Sequence, residues 1–183
     1  MVRTINLIIF GLGNVGRTLI QQVIAGKHHH NKFYNLQFNI TTVVDSSAII
    51  HNKELLSDTT LHEIVKAKQN KEKLSARSDK YSNDIGELIE SHVNNHTIVI
   101  DCSASDSIHT HLINSLRQGA GVTLANKKPL TLSQSIFNDM LSASNRSRLR
   151  YESTCGAGTP MITALQRCIQ ANDTPTLRLR LIV

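Results

Sequence analysis

Tryptophan is absent from this 183-residue sequence, and phenylalanine and tyrosine together supply only 4% of it. The core must therefore be built from aliphatic side chains, which suits the Ile, Val and Leu interior of a helix-and-sheet protein. Cysteine is almost as scarce. Cys102, Cys155 and Cys168 are an odd set without C-x-x-C spacing, which excludes a disulfide framework and a cysteine-based zinc site. A reducing, cytoplasmic compartment is the expectation. No apolar run is long enough to cross a bilayer, and residues 1–6 lead straight into a short apolar stretch rather than a signal-peptide layout. A membrane is therefore not an expected partner. What is present is globular in character, with 40% hydrophobic and 19% charged residues. The net charge of +6 is spread over scattered Lys and Arg with no basic run interleaved with aromatics. Nucleic acid is not the expected partner, and an anionic cofactor accounts for the bias as well.

Short apolar runs alternate with longer amphipathic segments, the pattern of βαβ units. The expected fold class is α/β, a Rossmann-like doubly wound and mostly parallel sheet. Residues 5–10 read as a buried strand, 11–16 as a tight turn, and 17–25 as a helix stopping near Gly26. Residues 28–35 read as a polar loop, and a second strand ends before Asp45. Helical spacing recurs at Leu61, Ile64 and Val65 and again at Ile85, Leu88 and Ile89, with a solvated Lys-rich stretch over 66–80 between them. Further strands are expected at 97–100, 122–125 and 149–153. Helices are expected after a Ser105 or Asp106 cap and over 133–143, and Pro160 suits a first helical position. Residues 177–183 alternate Leu and Arg before an apolar end, like the opening strand of another unit. The division read from this pattern is a dinucleotide-binding domain over 1–153 and the incomplete beginning of a substrate and dimerisation domain over 154–183.

The first chemical motif is Gly11-Leu12-Gly13-Asn14-Val15-Gly16. A pyrophosphate resting on a helix N-terminus needs a glycine for the tight turn, one where backbone meets phosphate, and one where helix and strand pack closely. Gly11, Gly13 and Gly16 fall in those places, directly after an apolar strand and at the start of an amphipathic helix. Asp45 ends the second strand, where a carboxylate would accept the ribose hydroxyls of NAD and repel the extra phosphate of NADP. Ser46, Ser47 and Ala48 offer that phosphate no cation, so NAD is favoured over NADP; an ordinary strand-ending turn would use an Asp in the same way. Ser103, Ala104 and Lys127 lie just beyond two later strands, the edge of a parallel sheet where ligands bind. Small residues there let a nicotinamide ribose pass, and the Lys127 ammonium could polarise a carbonyl or hold a carboxylate, although a Lys-Lys pair after a strand also suits solvated surface. His28-His29-His30 has no acidic or Cys partner nearby and reads as loop. Cys155 sits in an expected strand-to-helix turn, where a helix dipole would activate a thiol, but no base accompanies it.

Taken together, residues 8–16, Ile98-Val99-Ile100-Asp101-Cys102-Ser103, residues 121–130 with their Ala125-Asn126-Lys127-Lys128-Pro129 core, and residues 151–162 resemble the homoserine dehydrogenase family in content and order. The resemblance implies NAD(P)-dependent interconversion of homoserine and aspartate semialdehyde, within amino-acid biosynthesis leading to threonine and methionine. It implies cofactor contacts from Leu12, Gly13, Asn14, Val15, Ser103 and Lys127, with Lys127 also near the reacting centre. It places a monovalent cation such as Na+ at Glu152, Cys155, Ala157 and Thr159, held largely by backbone carbonyls. In the family a glycine-threonine turn, acidic substrate ligands and a proton-transfer lysine follow the strand that closes this sequence. The expectation is thus a chain that binds cofactor but is catalytically incomplete. Two other readings stand beside it: a non-catalytic nucleotide-binding or partner-binding module, with a homo-oligomer left open, and a neighbouring enzyme of the aspartate-semialdehyde dehydrogenase type using Cys155.

Overall fold

The computed structural model describes residues 1–74, 85–145 and 147–171. Strand β1 (Arg3–Phe10) leads through the glycine turn into helix α1 (Asn14–Tyr34), followed by β2 (Leu36–Val44) and a short β3 (Ile49–His51). Helices α2 (Asp58–Gln69) and α3 (Ile85–His92) precede β4 (Thr97–Asp101), α4 (His109–Arg117) and β5 (Gly121–Leu124). A short α5 (Lys128–Thr131), α6 (Gln134–Ala143), β6 (Leu149–Arg150), a 3-10 turn (Glu152–Thr154) and α7 (Met161–Gln170) complete the described chain.

The strands form one six-stranded sheet in the order β3-β2-β1-β4-β5-β6, parallel except for the antiparallel β2–β3 pair. This is the doubly wound α/β arrangement expected from the alternation of runs. Its strand order reverses between β1 and β4, which opens a crevice at their carboxyl ends. Both faces are buried, as a parallel sheet requires. On one face Ile8, Phe10, Val99, Val122 and Leu124 pack with Leu88, Leu112, Leu116 and Met140 from α3, α4 and α6. On the other, Leu7, Ile9, Ile40 and Val43 pack with Ile20 and Val23 of α1 and Leu61, Ile64 and Val65 of α2. The helical spacing at 61–65 and 85–89 is thus realised as core-facing positions.

Several boundaries differ from expectation. Helix α1 does not stop at Gly26 but runs through the histidine triplet to Tyr34, so all but the last residue of the polar loop expected at 28–35 is helix. Gly26 is a notch rather than a stop: a Cβ there would lie 2.7 Å from the His30 ring. That ring packs edge-on against Phe38 of β2 with centroids 5.1 Å apart. A mid-helix glycine costs about 1 kcal/mol against alanine, and side-chain packing of this kind offsets it. The chain leaves α1 only at Asn35, left-handed at φ 52°. Helix α4 starts at His109, later than a Ser105 or Asp106 cap would put it. Ser105 N–H donates to Ser103 Oγ and Ser107 N–H to Ser105 Oγ, so these hydroxyls close successive turns instead of capping the helix. Strand β6 ends at Arg150, because the chain turns at Glu152. The expected strand over 177–183 and most of the upper Lys-rich stretch lie outside the described residues. Among the described residues no helix is long and apolar enough to cross a membrane.

Candidate functional site

A cavity of about 880 Å3 occupies the crevice at the strand-order reversal. Gly11, Leu12 and Gly13 line its centre, Asp45, Lys68 and Lys71 one end, and Ser103, Ala104, Ile108 and His111 the other. The three glycines have distinct geometries. Gly11 has φ 87°, and a Cβ on it would meet the Ser103 backbone at 2.5 Å. At Gly16 a Cβ would lie 1.9 Å from the Gly11 carbonyl oxygen. Gly13 has nothing within 4 Å of such an atom, so its backbone faces open space. Helix α1 begins beside it with no side-chain cap and no acidic residue in its first turn. The helix dipole and the first N–H groups therefore point into the cavity with no side chain competing for an anion. Asn14 and Val15 line a second cavity of about 450 Å3 between α1 and the β4–β5 strands.

At the first end Asp45 is already engaged. Its Oδ1 accepts from Ser47 N–H at 2.7 Å, Ser47 Oγ at 2.7 Å and Ala48 N–H at 3.0 Å, closing the turn into β3. Its Oδ2 lies 2.6 Å from Lys68 Nζ, with only 6% of the Asp45 side chain exposed. Burial by itself raises the carboxyl pKa, but the Lys68 and Ser47 hydrogen bonds outweigh it and hold Asp45 below its ordinary value. Lys68, expected as solvated surface, is thereby drawn into the site. Arg17 of α1 also lines the cavity and donates to the Lys68 carbonyl at 3.3 Å and to Asn14 Oδ1 at 2.6 Å. The cations that residues 46–48 do not provide thus come from α1, from α2 and from Lys71 just beyond it.

The second end has no Lys, Arg, Asp or Glu among its lining residues and is braced from beneath. Asp101, with no exposed surface, accepts from Ser103 N–H (2.9 Å), Ser103 Oγ (2.7 Å) and Asn126 Nδ2 (3.0 Å). Asn126 Nδ2 also donates to the Ser105 carbonyl at 2.7 Å, and Asn126 Oδ1 accepts from Lys128 N–H at 3.1 Å. Cys102 lines both cavities, but burial, and then the Asp101 charge, push its thiol up to about 11. It is a poor nucleophile at neutral pH. Lys127 is exposed at the end of β5, immediately before α5, and lines neither cavity.

Glu152, Cys155, Ala157 and Thr159 share one loop between β6 and α7. The Glu152 carboxylate accepts from Ile162 N–H (2.8 Å), Thr163 N–H (2.9 Å) and Thr163 Oγ1 (2.6 Å), serving as the anion at the α7 N-terminus. The Thr163 hydroxyl bond leads in holding its pKa below the ordinary value. Cys155 is extended, at φ −146° and ψ 162°, and precedes α7 by several residues. It does not sit at a helix N-terminus, which fits a small residue filling a turn rather than an activated thiol, and α7's first N–H groups go to Glu152. Ala157 is left-handed at φ 50°, and the Thr159 carbonyl accepts from Met161 N–H at 2.8 Å. Among the described residues no group of three or more His, Cys, Asp or Glu side chains is placed to hold a metal.

Sequence reasoning thus located the glycine turn, Asp45 and the Ser103 loop on one cavity, and missed Arg17, Lys68, Lys71, His111 and the Asp101–Asn126 brace. Only the amphipathic period of α2, which turns position 68 partly inward, hinted at Lys68.

Comparison with known proteins bears on this geometry. Residues 11–152 match the family model described as homoserine dehydrogenase, NAD binding domain. A homoserine dehydrogenase of Pyrococcus horikoshii is 31% identical over 166 residues, covering 88% of this chain and 48% of its own length. A bifunctional aspartokinase/homoserine dehydrogenase of Buchnera aphidicola is 25% identical over 174 residues, 93% of this chain and 20% of that protein. The structure of a hyperthermophilic archaeal homoserine dehydrogenase in complex with NADPH superimposes with a TM-score of 0.69 at 29% identity, over 88% of this chain and 48% of that one. This chain therefore spans half or less of each of these relatives.

Proposed function

This chain belongs to the homoserine dehydrogenase family through its NAD-binding domain, and from that premise we propose that the crevice binds a nicotinamide dinucleotide for the oxidation of homoserine or the reverse reduction of aspartate semialdehyde. The observation that carries the reading is the conjunction at Gly11–Gly13. A left-handed glycine turn, open space over Gly13 and an uncapped helix N-terminus meet in a cavity that extends to both sides of the strand-order reversal. In such a sheet the pyrophosphate lies over the glycine turn, the adenosine half toward β2 and the nicotinamide half toward β4 and β5. Bound cofactor would supply the hydride acceptor. The chain's own part is to hold the phosphates with backbone N–H groups and to position the rings, with Ser103 and Ala104 beneath the nicotinamide ribose and Lys127 approaching from the end of β5.

Three cationic side chains at the β2 end favour NADP over NAD. The expectation of NAD rested on Asp45 being free to accept ribose hydroxyls. Its carboxylate is instead already engaged, with three hydrogen bonds at Oδ1 and the Lys68 ammonium beside Oδ2. Arg17, Lys68 and Lys71 border the same end of the cavity, where a 2′-phosphate would be attracted. A monovalent cation at the 152–159 loop would have to rest on backbone carbonyls, as the family resemblance implies, because the Glu152 side chain is committed to α7.

The test is a fluorescence titration of the purified chain with NADPH and with NADH. Saturable binding of both, tighter for NADPH by about tenfold or more, is expected for a phosphate paired with several cations, two of them half-buried. Absence of a saturable signal at millimolar cofactor overturns the reading, and tighter NADH binding overturns the NADP preference.

A further inference from the structure

The carboxylate of Asp101 has no exposed surface, and all of the bonds described for it come from neutral donors at the ends of β4 and β5. Its Oδ1 holds the Ser103 N–H and hydroxyl, its Oδ2 holds the Asn126 amide, and its main-chain carbonyl accepts from Ala125 N–H at 2.9 Å and Asn126 N–H at 3.2 Å. Asn126 is only 6% exposed. Its two amide hydrogens go to Asp101 and to the Ser105 carbonyl, and its carbonyl oxygen receives the Lys128 N–H. One side chain therefore ties three pieces of backbone together: the end of β4, the turn over 103–105 that floors one end of the cavity, and the first residue of α5.

We propose that Asn126, seated on Asp101, is a positioning residue that sets where Lys127 stands relative to the nicotinamide half of the cofactor site. Lys127 lies between two points this amide network holds, its own preceding residue and the Lys128 N–H. Its stem is long and exposed, so the direction in which it leaves the backbone depends on those two points. Buried networks of this kind hold one geometry only when every member is satisfied. Removing the amide leaves the buried Asp101 oxygen and the Ser105 carbonyl without that donor. The 103–105 turn and the start of α5 then shift independently, whereas the glycine turn, Arg17 and Lys68 make no bond to Asn126 and keep their places. Asn126 thus acts on one end of the cofactor only.

This inference rests on the dinucleotide reading above, and the experiment separates the two. The full chain is titrated with NADPH and with adenosine 2′,5′-bisphosphate, which carries the adenosine ribose and its phosphates but no nicotinamide. The wild-type chain binds both; if it binds neither, the cofactor reading falls and this one with it. Asn126→Ala lowers NADPH affinity about tenfold, the size expected when buried partners of one amide are stranded. Its affinity for the bisphosphate stays within about twofold, because sites that share no partner are close to independent. Asn126→Ser, which keeps a short donor, shows the same asymmetry at smaller size. Lys127→Ala reproduces the loss, and the double variant Asn126→Ala/Lys127→Ala binds NADPH no more weakly than the weaker single variant. Equal losses for the two ligands would show that Asn126 merely supports the fold and would overturn the proposal. So would unchanged NADPH affinity, or fully additive losses in the double variant.

Discussion

The two ends of the crevice are built on opposite electrostatic plans. Toward β2, a carboxylate at the edge of the cavity is met by a cation, Asp45 by Lys68 at 2.6 Å, with Arg17 and Lys71 close by. Toward β4 and β5, the carboxylate of Asp101 lies beneath the floor and is satisfied by amide and hydroxyl donors. An ion pair of the first kind gains from charge and yields to a competing anion such as a phosphate, so it suits an end where a charged group must dock. A neutral network gains from geometry and has little to offer an incoming charge. It suits an end where a ring must be held at a fixed distance and angle. Site electrostatics and site rigidity are thus handled by different residues, with the glycine turn between them.

The largest way to break this arrangement is at the joint. Gly11→Ala would put a Cβ 2.5 Å from the Ser103 backbone at a φ of 87°, forcing the two ends apart. Backbone strain and overpacking together should cost roughly 3 kcal/mol, seen as a fall of about 10 °C in the melting temperature with loss of cofactor binding. Gly13→Ala meets nothing within 4 Å, so it should leave the melting temperature within about 1 °C while weakening NADPH binding about tenfold or more. A comparable melting loss in both variants would contradict the separate roles given to the two glycines.

Next in size is Lys68→Met, which keeps the aliphatic stem and removes the charge. It strands a buried carboxylate and should cost about 1–3 kcal/mol in a denaturant titration. It should also reduce the NADPH-over-NADH preference toward unity, whereas Lys127→Ala should leave that preference unchanged. If Lys68→Met lowers both affinities equally, the charged end has no special relation to the phosphate.

The smallest effect is a pH dependence. The folded pKa of Asp45 lies below its ordinary value of 3.8. The stability it contributes is therefore complete above that value and disappears as pH falls through the lower folded one. Melting curves below about pH 4 should fall more steeply for the wild-type chain than for Asp45→Asn. Parallel curves would mean that the ion pair adds nothing to the acid limb.

Where local pattern carries the information, the fold was readable. The glycine turn, the core strands β1, β4 and β5, and the inward faces of α2 and α3 follow from runs and periods within single segments. The errors share one cause. Residues 28–34 looked like loop because a glycine and three histidines are weak helix formers, and it is contacts from elsewhere in the fold, such as His30 on Phe38 and over Gly26, that support the continuation of α1. Ser105 looked like a helix cap because its competing hydroxyl turns are invisible in sequence. Strand β3 was missed because three residues give too short an alternation, and its pairing with β2 depends on the Asp45 turn.

By itself the sequence determined that this is a parallel α/β chain with a phosphate turn after its first strand, since strand and turn preferences act over a few neighbouring residues. Only the tertiary structure decided which charges face that turn and what braces its far side. Asn126 reaches Asp101 across 25 residues, and Lys68 reaches Asp45 from helix α2. Both pairs exist because the sheet brings the carboxyl ends of β2, β4 and β5 to one edge. Proximity of that kind comes from strand order, which no local period encodes.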